Sequence, residues 1–149
     1  MRVMLIDDDE DTRVLCRFIL GTLASWEIVA AVPGPWTLDR ARRCRPDLIL
    51  LGLERPADAG FLTLRRLRML EPTSSIPVIV ITAADTPAVL DRIRELGAQG
   101  LIPRAFSMSA FLTEVDRVLT RPARSSAPPD TWEGGEDLGD ALSQQRDTP

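Results

Sequence analysis

The side chains that could do chemistry in this chain are carboxylates, hydroxyls, thiols and guanidinium groups. All 18 basic residues are arginine, and histidine, lysine and tyrosine are absent. Without histidine the chain lacks the usual general base for neutral pH and any imidazole ligand for a metal. The densest reactive group is the acidic run Asp7-Asp8-Asp9-Glu10-Asp11, which follows the apolar segment Met1 to Ile6. Such acids can also simply favour a helix N-terminus, so the run alone does not identify a site.

Length and composition favour a single soluble domain. The chain has 149 residues, enough for a substantial core but too few for a second domain of ordinary size. It has no apolar run near the roughly 18 residues of a membrane span, and no signal-peptide pattern. We therefore expect a cytoplasmic protein without a membrane partner. Cys16 and Cys44 are too few for a disulfide framework and lack metal-ligand spacing, so we expect two buried thiols in helices.

Short apolar segments alternate along the chain with segments of helical periodicity. The predicted strands are Met1–Ile6, Ile28–Val32, Leu48–Leu51, Pro77–Thr82 and Gly100–Pro103. The predicted helices begin in the acidic run, at Trp36, near Phe61, at Asp85-Thr86-Pro87 and, with Ser107 as its cap, at Met108. This alternation predicts a doubly wound α/β fold, a five-stranded parallel sheet with helices on both faces. The flavodoxin-like strand order 2-1-3-4-5 is the topology that the pattern favours.

Two helices show clear apolar periodicity. In the first helix, Val14, Leu15, Phe18, Ile19 and Leu23 recur at helical spacing and predict the face that packs on the sheet. The third helix is marked in the same way by Phe61, Leu64, Leu67 and Leu70.

Binding sites in sheets of this kind lie at the carboxyl ends of the strands. The residues at or just beyond the ends of predicted strands include Asp7, Asp8, Gly52, Thr82 and Arg104. The topology therefore predicts that these five positions meet at one edge of the sheet.

These positions and their neighbours resemble the response-regulator receiver domains of two-component signalling and phosphorelays. The resemblance covers residues 1 to about 121 and rests on Asp7-Asp8, on the segment Pro46 to Gly60 and on Ile81-Thr82-Ala83. In that family two acids after strand one hold Mg²⁺, and an aspartate after strand three accepts a phosphoryl group from a histidine kinase. A serine or threonine after strand four and a lysine after strand five contact that group.

The chain departs from this pattern at two positions. Gly52 stands where the family has the acceptor aspartate, and Arg104 stands where it has the lysine. The resemblance therefore implies a degenerate phosphorylation site of Gly52, Thr82 and Arg104, without a catalytic residue. Asp7 and Asp8 are the implied metal ligands, and we expect their Mg²⁺ binding to be weak or absent. We expect Arg104 to bridge these two carboxylates across the space at Gly52.

The implied function is that of a stand-alone, non-enzymatic pseudo-receiver that signals through protein contacts without phosphorylation. Two alternatives stay open. The first is a phosphorelay receiver in which Asp58, beyond Pro56 in the loop after strand three, is a non-standard acceptor. The second is a cofactor-binding flavodoxin-like protein or an enzyme on the same frame. Against it, the chain lacks a Gly-rich phosphate loop after strand one and a nucleophile paired with a base.

The resemblance also implies partners. We expect a histidine kinase or another signalling protein, with a homodimer through helix four, strand five and helix five as a further option. The interaction surface is expected to include Leu101, Ala105 and Phe106, with Leu101 at the family's aromatic switch position. The arginine clusters are Arg40, Arg42, Arg43 and Arg45, and Arg65, Arg66 and Arg68. Because acids balance them and no nucleic-acid motif accompanies them, we expect solvated helix faces and no nucleic-acid partner.

The composition changes after Arg121. The first 121 residues carry 16 acidic residues and 16 arginines, whereas residues 122–149 carry six acidic residues and two arginines. The segment 122–149 is rich in proline and serine at its start and acidic further on, with few large apolar residues. We therefore expect a receiver-like domain over residues 1–121 and a disordered tail that folding does not require.

Overall fold

A computed structural model describes residues 1–23, 25–53, 57–69, 71–83, 86–104 and 106–120. Five parallel strands form one sheet with the order β2-β1-β3-β4-β5, as the sequence predicted. The strands are β1 (Arg2–Ile6), β2 (Glu27–Ala31), β3 (Leu48–Leu53), β4 (Val78–Thr82) and β5 (Gly100–Pro103). Several expectations fall outside the described residues: those for Pro56, Leu70, Asp85, Ala105 and residues 122–149, and those for the side chains of Leu23 and Asp58.

In the described part of the chain, five α-helices connect or follow the strands. They are α1 (Glu10–Cys16), which a π-helical segment (Arg17–Leu23) continues, α2 (Thr37–Cys44), α3 (Ala57–Met69), α4 (Pro87–Glu95) and α5 (Met108–Leu119). Asp9, Thr86 and Ser107 cap α1, α4 and α5 by accepting a hydrogen bond from the backbone N–H three residues on. Within the described ranges, no helix is long and apolar enough to cross a membrane.

The strands are buried on both sides, as the unbroken apolar runs predict for a covered parallel sheet. On one side β-strand residues pack with α3 and α4 through Leu64, Leu67, Leu90 and Ile93. On the other side they pack with α1, its π-helical continuation and α5 through Cys16, Ile19, Leu20, Phe111, Val115 and Val118. α1 and α5 therefore share one face of the sheet, and α3 and α4 share the other.

The predicted core face of α1 and its π-helical continuation is wrong for three residues. Val14, Leu15 and Phe18 are 60%, 41% and 50% exposed. The buried side chains of α1 and its continuation are Thr12, Cys16, Ile19 and Leu20. Both sets repeat at helical spacing, so periodicity alone cannot choose between them. Tertiary contacts make the choice, because Thr12 must face the end of the sheet to meet its partners there.

A buried carboxylate fixes β5 to α5. Glu114 is fully buried, and its Oε2 accepts a 2.8 Å hydrogen bond from the backbone N–H of Leu101. Its other oxygen pairs with Arg117 at 2.7 Å. A Cβ at Gly100 would lie 2.8 Å from Val118 Cγ2. Glycine at this position therefore permits the close approach of β5 and α5. The contacts hold the strand that carries Arg104 at its end.

The expectation that Leu101 belongs to an exposed interaction surface is wrong. Leu101 is 1% exposed and lies in the core on the side of α3 and α4. Its position in the middle of a strand with helices on both faces leaves its side chain no access to a partner. Phe106 is partly buried, with its ring 5.1 Å from that of Phe111.

Five of the seven arginines in these clusters are exposed as expected, but Arg42 is partly buried and so is Arg68. The Arg68 guanidinium donates to the carbonyl oxygens of Thr73 and Ile76 at the turn before β4. Burial lowers the pKa of Arg68 to about 10. Arg68 therefore anchors this turn to α3 and is not part of a solvated helix face.

Both cysteines lie in helices and are free thiols, as predicted. Cys16 is buried, and burial is the main cause that raises the pKa of its thiol to about 12. Cys44 is only partly buried, at the end of α2. The Cys16 thiol is thus unreactive at neutral pH.

Candidate functional site

The carboxyl edge of the sheet brings the predicted site residues together. Ile6 of β1 pairs with Leu51 of β3. The next residues along the chain are Asp7 and Gly52, respectively, so these two residues lie side by side. Thr82 ends β4 and is 1% exposed. Arg104 directly follows β5, and its backbone N–H donates to the carbonyl oxygen of Thr82 at 2.8 Å. The topological rule therefore predicted that Asp7, Gly52, Thr82 and Arg104 lie at one edge of the sheet.

Asp7 fills the space beside Gly52. The Asp7 side chain is fully buried. A Cβ built on Gly52 would overlap this carboxylate, and even the more distant carboxylate oxygen would lie 2.8 Å from it. Real Cβ atoms essentially never approach another atom so closely. In this arrangement the position can hold only glycine, because any larger residue would have to displace Asp7.

Arg104 reaches across this volume. Its Nη1 lies 3.5 Å from Asp7 Oδ2 and 3.5 Å from Asp9 Oδ2. The same nitrogen donates a 2.6 Å hydrogen bond to Thr12 Oγ1. The predicted contact with Asp7 is confirmed, but Asp9 takes the place predicted for Asp8, which is exposed. The arginine side chain is 19% exposed, so the pair with Asp7 is largely withdrawn from water.

Asp9 and Thr12 also belong to this cluster, although their sequence pattern was not interpreted as part of a site. Asp9 caps α1 and accepts from both the backbone N–H and the hydroxyl of Thr12. Its own N–H donates to Asp7 Oδ1 at 2.9 Å. A signal for one of these contacts was available, since an aspartate just before a helix is a favoured N-terminal cap that accepts from a backbone N–H two or three residues later.

The pKa values of the two aspartates in the cluster are shifted in opposite directions. Burial raises the pKa of Asp7, while the N–H of Asp9 and the charge of Arg104 act against that rise. Hydrogen bonds from Thr12 lower the pKa of Asp9, and Arg104 adds to this effect. Asp7 therefore carries the desolvation cost of the cluster, and Arg104 partly offsets it.

The raised pKa of Asp7 predicts a specific pH dependence of stability. A carboxyl whose pKa is higher in the folded than in the unfolded state binds its proton more tightly when folded. Its destabilising effect is then present at neutral pH and is relieved as the pH falls through the folded-state pKa. We expect the wild-type protein to gain free energy of unfolding relative to Asp7→Asn as the pH falls from 7 toward 4, measured by urea denaturation. A constant difference across this range would show that Asp7 does not titrate abnormally.

The residues present do not fit the Mg²⁺ ion that the resemblance implies. Mg²⁺ binds through well-placed oxygens in near-octahedral geometry. Among the described residues, no three acidic, cysteine or histidine side chains come together to hold a metal. Asp8 is exposed, and the guanidinium of Arg104 already lies against Asp7. A positive charge at this position opposes a cation, so the cluster favours an internal ion pair.

Asp47 lies at the opposite edge of the sheet. It precedes β3, and its Oδ2 accepts a 2.8 Å hydrogen bond from the backbone N–H of Arg2 at the start of β1. It is therefore remote from the cluster around Arg104.

Comparisons with known proteins agree with this geometry. The sequence model of one protein family, the response regulator receiver domain, matches residues 3–116 of this chain. The chain belongs to this family. The polar-differentiation response regulator DivK of Brucella anthropi is 30% identical over 117 residues, which cover 78% of this chain and 94% of DivK.

Two further relatives show the extent of the likeness. The receiver domain is 33% identical over 125 residues to the DNA-binding dual master transcriptional regulator RpaA of Synechocystis sp., but spans only about half of it, 51%. The chemotaxis protein CheY4 of Vibrio cholerae has a solved structure that superimposes with a TM-score of 0.71 and 25% identity. That match covers 78% of this chain and 97% of CheY4. The protein thus contains a receiver domain of two-component signalling.

Proposed function

We propose that this receiver domain signals through protein contacts and is not switched by phosphorylation of its third strand. Gly52 stands at the position where the family resemblance implies the acceptor aspartate. The observation that carries the proposal is the Asp7 carboxylate, which fills the space beside Gly52 and pairs with Arg104. Gly52 itself supplies no carboxylate that could attack phosphorus, and Asp7 occupies the space beside it.

The ion pair supports a domain held in one state. A guanidinium is charged at every physiological pH and can bond several oxygens at once. Here it spans from β5 to the start of α1 through Asp7, Asp9 and Thr12. In the proposed function Arg104 takes over the role of the metal ion and holds the domain constitutively in one conformation.

The proposed partners are a histidine kinase or another signalling protein. The names of RpaA and DivK place these relatives in transcriptional regulation and polar differentiation, respectively. Because the chain spans about half of RpaA, the DNA binding in that protein's name is not part of the proposal. A homodimer through α4, β5 and α5 stays a prediction that sedimentation can test. Because Leu101 is buried, it is not part of the proposed dimer surface.

The purified protein should not acquire a phosphoryl group from acetyl phosphate and Mg²⁺. The physical reason is the absence of a carboxylate at position 52, because a phosphoryl acceptor must supply a nucleophilic oxygen. Intact-mass spectrometry after incubation gives the readout, with a receiver domain that carries the acceptor aspartate as the positive control. An added phosphoryl group that maps to Asp58 would overturn the proposal and support a phosphorelay with a non-standard acceptor.

A further inference from the structure

A groove runs between α3 and α4 on the face of the sheet that these helices share. It has a volume of about 450 Å³. Its lining residues are Phe61, Leu62 and Arg65 from α3, and Ala88, Val89 and Arg92 from α4. Four of these six side chains are apolar, and the two charged ones are both arginines. A ligand that fits this groove should therefore combine apolar side chains with negative charge.

The groove offers contacts that the described part of the domain leaves open. Leu62 is 46% exposed, and Phe61 and Val89 are only partly buried against the core. Arg92 lies 3.8 Å from Glu95, but both side chains are more than half exposed. An exposed pair of this kind contributes little to stability, so Arg92 can exchange this contact for another at small cost.

The chain itself carries a segment with the matching chemistry. Residues 130–142 contain three large apolar side chains, Trp132, Leu138 and Leu142. The same segment contains five acidic residues, Asp130, Glu133, Glu136, Asp137 and Asp140, and no basic residue. Apolar anchors interspersed with carboxylates are the complement of an apolar groove with two guanidinium groups.

The segment can reach the groove. α5 ends at Leu119, and twelve residues lead from Thr120 to Trp132. At about 3.3 to 3.6 Å per residue they span up to roughly 40 Å. A domain of about 120 residues has a radius of gyration of about 14 Å, hence a width of roughly 35 Å. Because the segment is tethered, its binding is intramolecular, and contacts weaker than those of a separate partner suffice.

We propose that residues 130–142 bind in the groove between α3 and α4 of the same molecule. Trp132 and the leucines fill the space against Phe61, Leu62 and Val89, and the acidic side chains pair with Arg65 and Arg92. A segment too polar to fold alone becomes ordered on this surface. The bound tail covers the groove against other partners. This inference does not depend on the proposed absence of phosphorylation.

The test uses the full chain and its NMR spectra. In the wild-type protein we expect nuclear Overhauser contacts from the Trp132 indole to the methyl groups of Leu62 and Val89. We expect these contacts to be lost in the groove variant Arg65→Glu/Arg92→Glu and in the tail variant Glu133→Lys/Asp137→Lys. Both groove arginines are exposed, so the fold should persist. Combining the four substitutions reverses the charge of both the groove and the tail. It should therefore restore the contacts of Trp132.

Two controls make the result decisive. Arg40→Glu/Arg43→Glu alters exposed arginines on α2 and should leave the Trp132 contacts unchanged. About 0.5 M NaCl, which shortens the Debye length to about 4 Å, should weaken the contacts. Contacts from Trp132 to another surface, such as the exposed side of α1, or the absence of any contact would overturn the proposal. Contacts that appear only at high protein concentration would assign the occupant to a second copy and equally contradict it.

Discussion

Replacing Gly52 with alanine should lower the free energy of unfolding by about 1 to 3 kcal/mol, the usual cost of overpacking a filled interior. The added Cβ would overlap the buried Asp7 carboxylate, which cannot move without breaking its contacts with the Asp9 N–H and with Arg104. Urea denaturation of the purified variants measures the effect.

Gly52→Asp should destabilise the domain further, by about 3 kcal/mol or more, because it adds a charge beside one that is already buried. The matched control is Gly34→Ala, since the nearest atom to a Cβ at Gly34 lies 3.9 Å away in ordinary contact. That control should be neutral or slightly stabilising. If Gly52→Asp were as stable as the wild-type protein, Asp7 would not be confined to this space, and its position there would no longer support the proposed function.

The second large effect concerns Arg104. Arg104→Ala should lower the free energy of unfolding by about 1 to 3 kcal/mol, less than the full loss for a completely buried pair, because Arg104 is 19% exposed. The change leaves Asp7 buried without its positive neighbour and removes the 2.6 Å hydrogen bond to Thr12. The pKa of Asp7 should rise further, which carboxyl ¹³C NMR can follow.

Three comparisons separate the ion pair from a general loss of packing. Arg43→Ala removes an exposed arginine that lies 4.0 Å from Asp39, and it should cost less than about 0.5 kcal/mol. Arg104→Lys keeps the charge but loses the fork of donors, so an intermediate stability is expected. A double-mutant cycle of Arg104→Ala with Asp7→Asn measures the coupling directly. Additive effects in that cycle would show that the two side chains do not stabilise one another.

Local signals in the sequence were sufficient for most of the fold. The apolar runs predicted all five strands to within two residues, and Ser107 and Thr86-Pro87 marked the starts of α5 and α4. Such features depend on the backbone and on near neighbours, which the sequence displays directly. The alternation of elements then predicted the strand order, because right-handed crossovers leave few topologies.

The sequence could not predict which of two competing faces or partners would be used. In the first helix, Val14 and Phe18 were predicted for the core together with Ile19, and only contacts with the rest of the fold leave the first two exposed and bury Ile19. The buried Glu114 and the anchored Arg68 were missed for the same reason, because their partners lie on other elements.

For the candidate site, the sequence by itself determined which residue types are present and at which edge of the sheet they lie. It placed Asp7, Gly52, Thr82 and Arg104 at the carboxyl ends of neighbouring strands and showed that residue 52 has no side chain. Only the tertiary structure decided that Asp7 turns into the vacated space and that Arg104 pairs with Asp9 and not with Asp8. The direction of a side chain at the edge of the sheet depends on which atoms fill the neighbouring space. Residues distant in sequence supply those atoms, so the sequence alone does not show the direction.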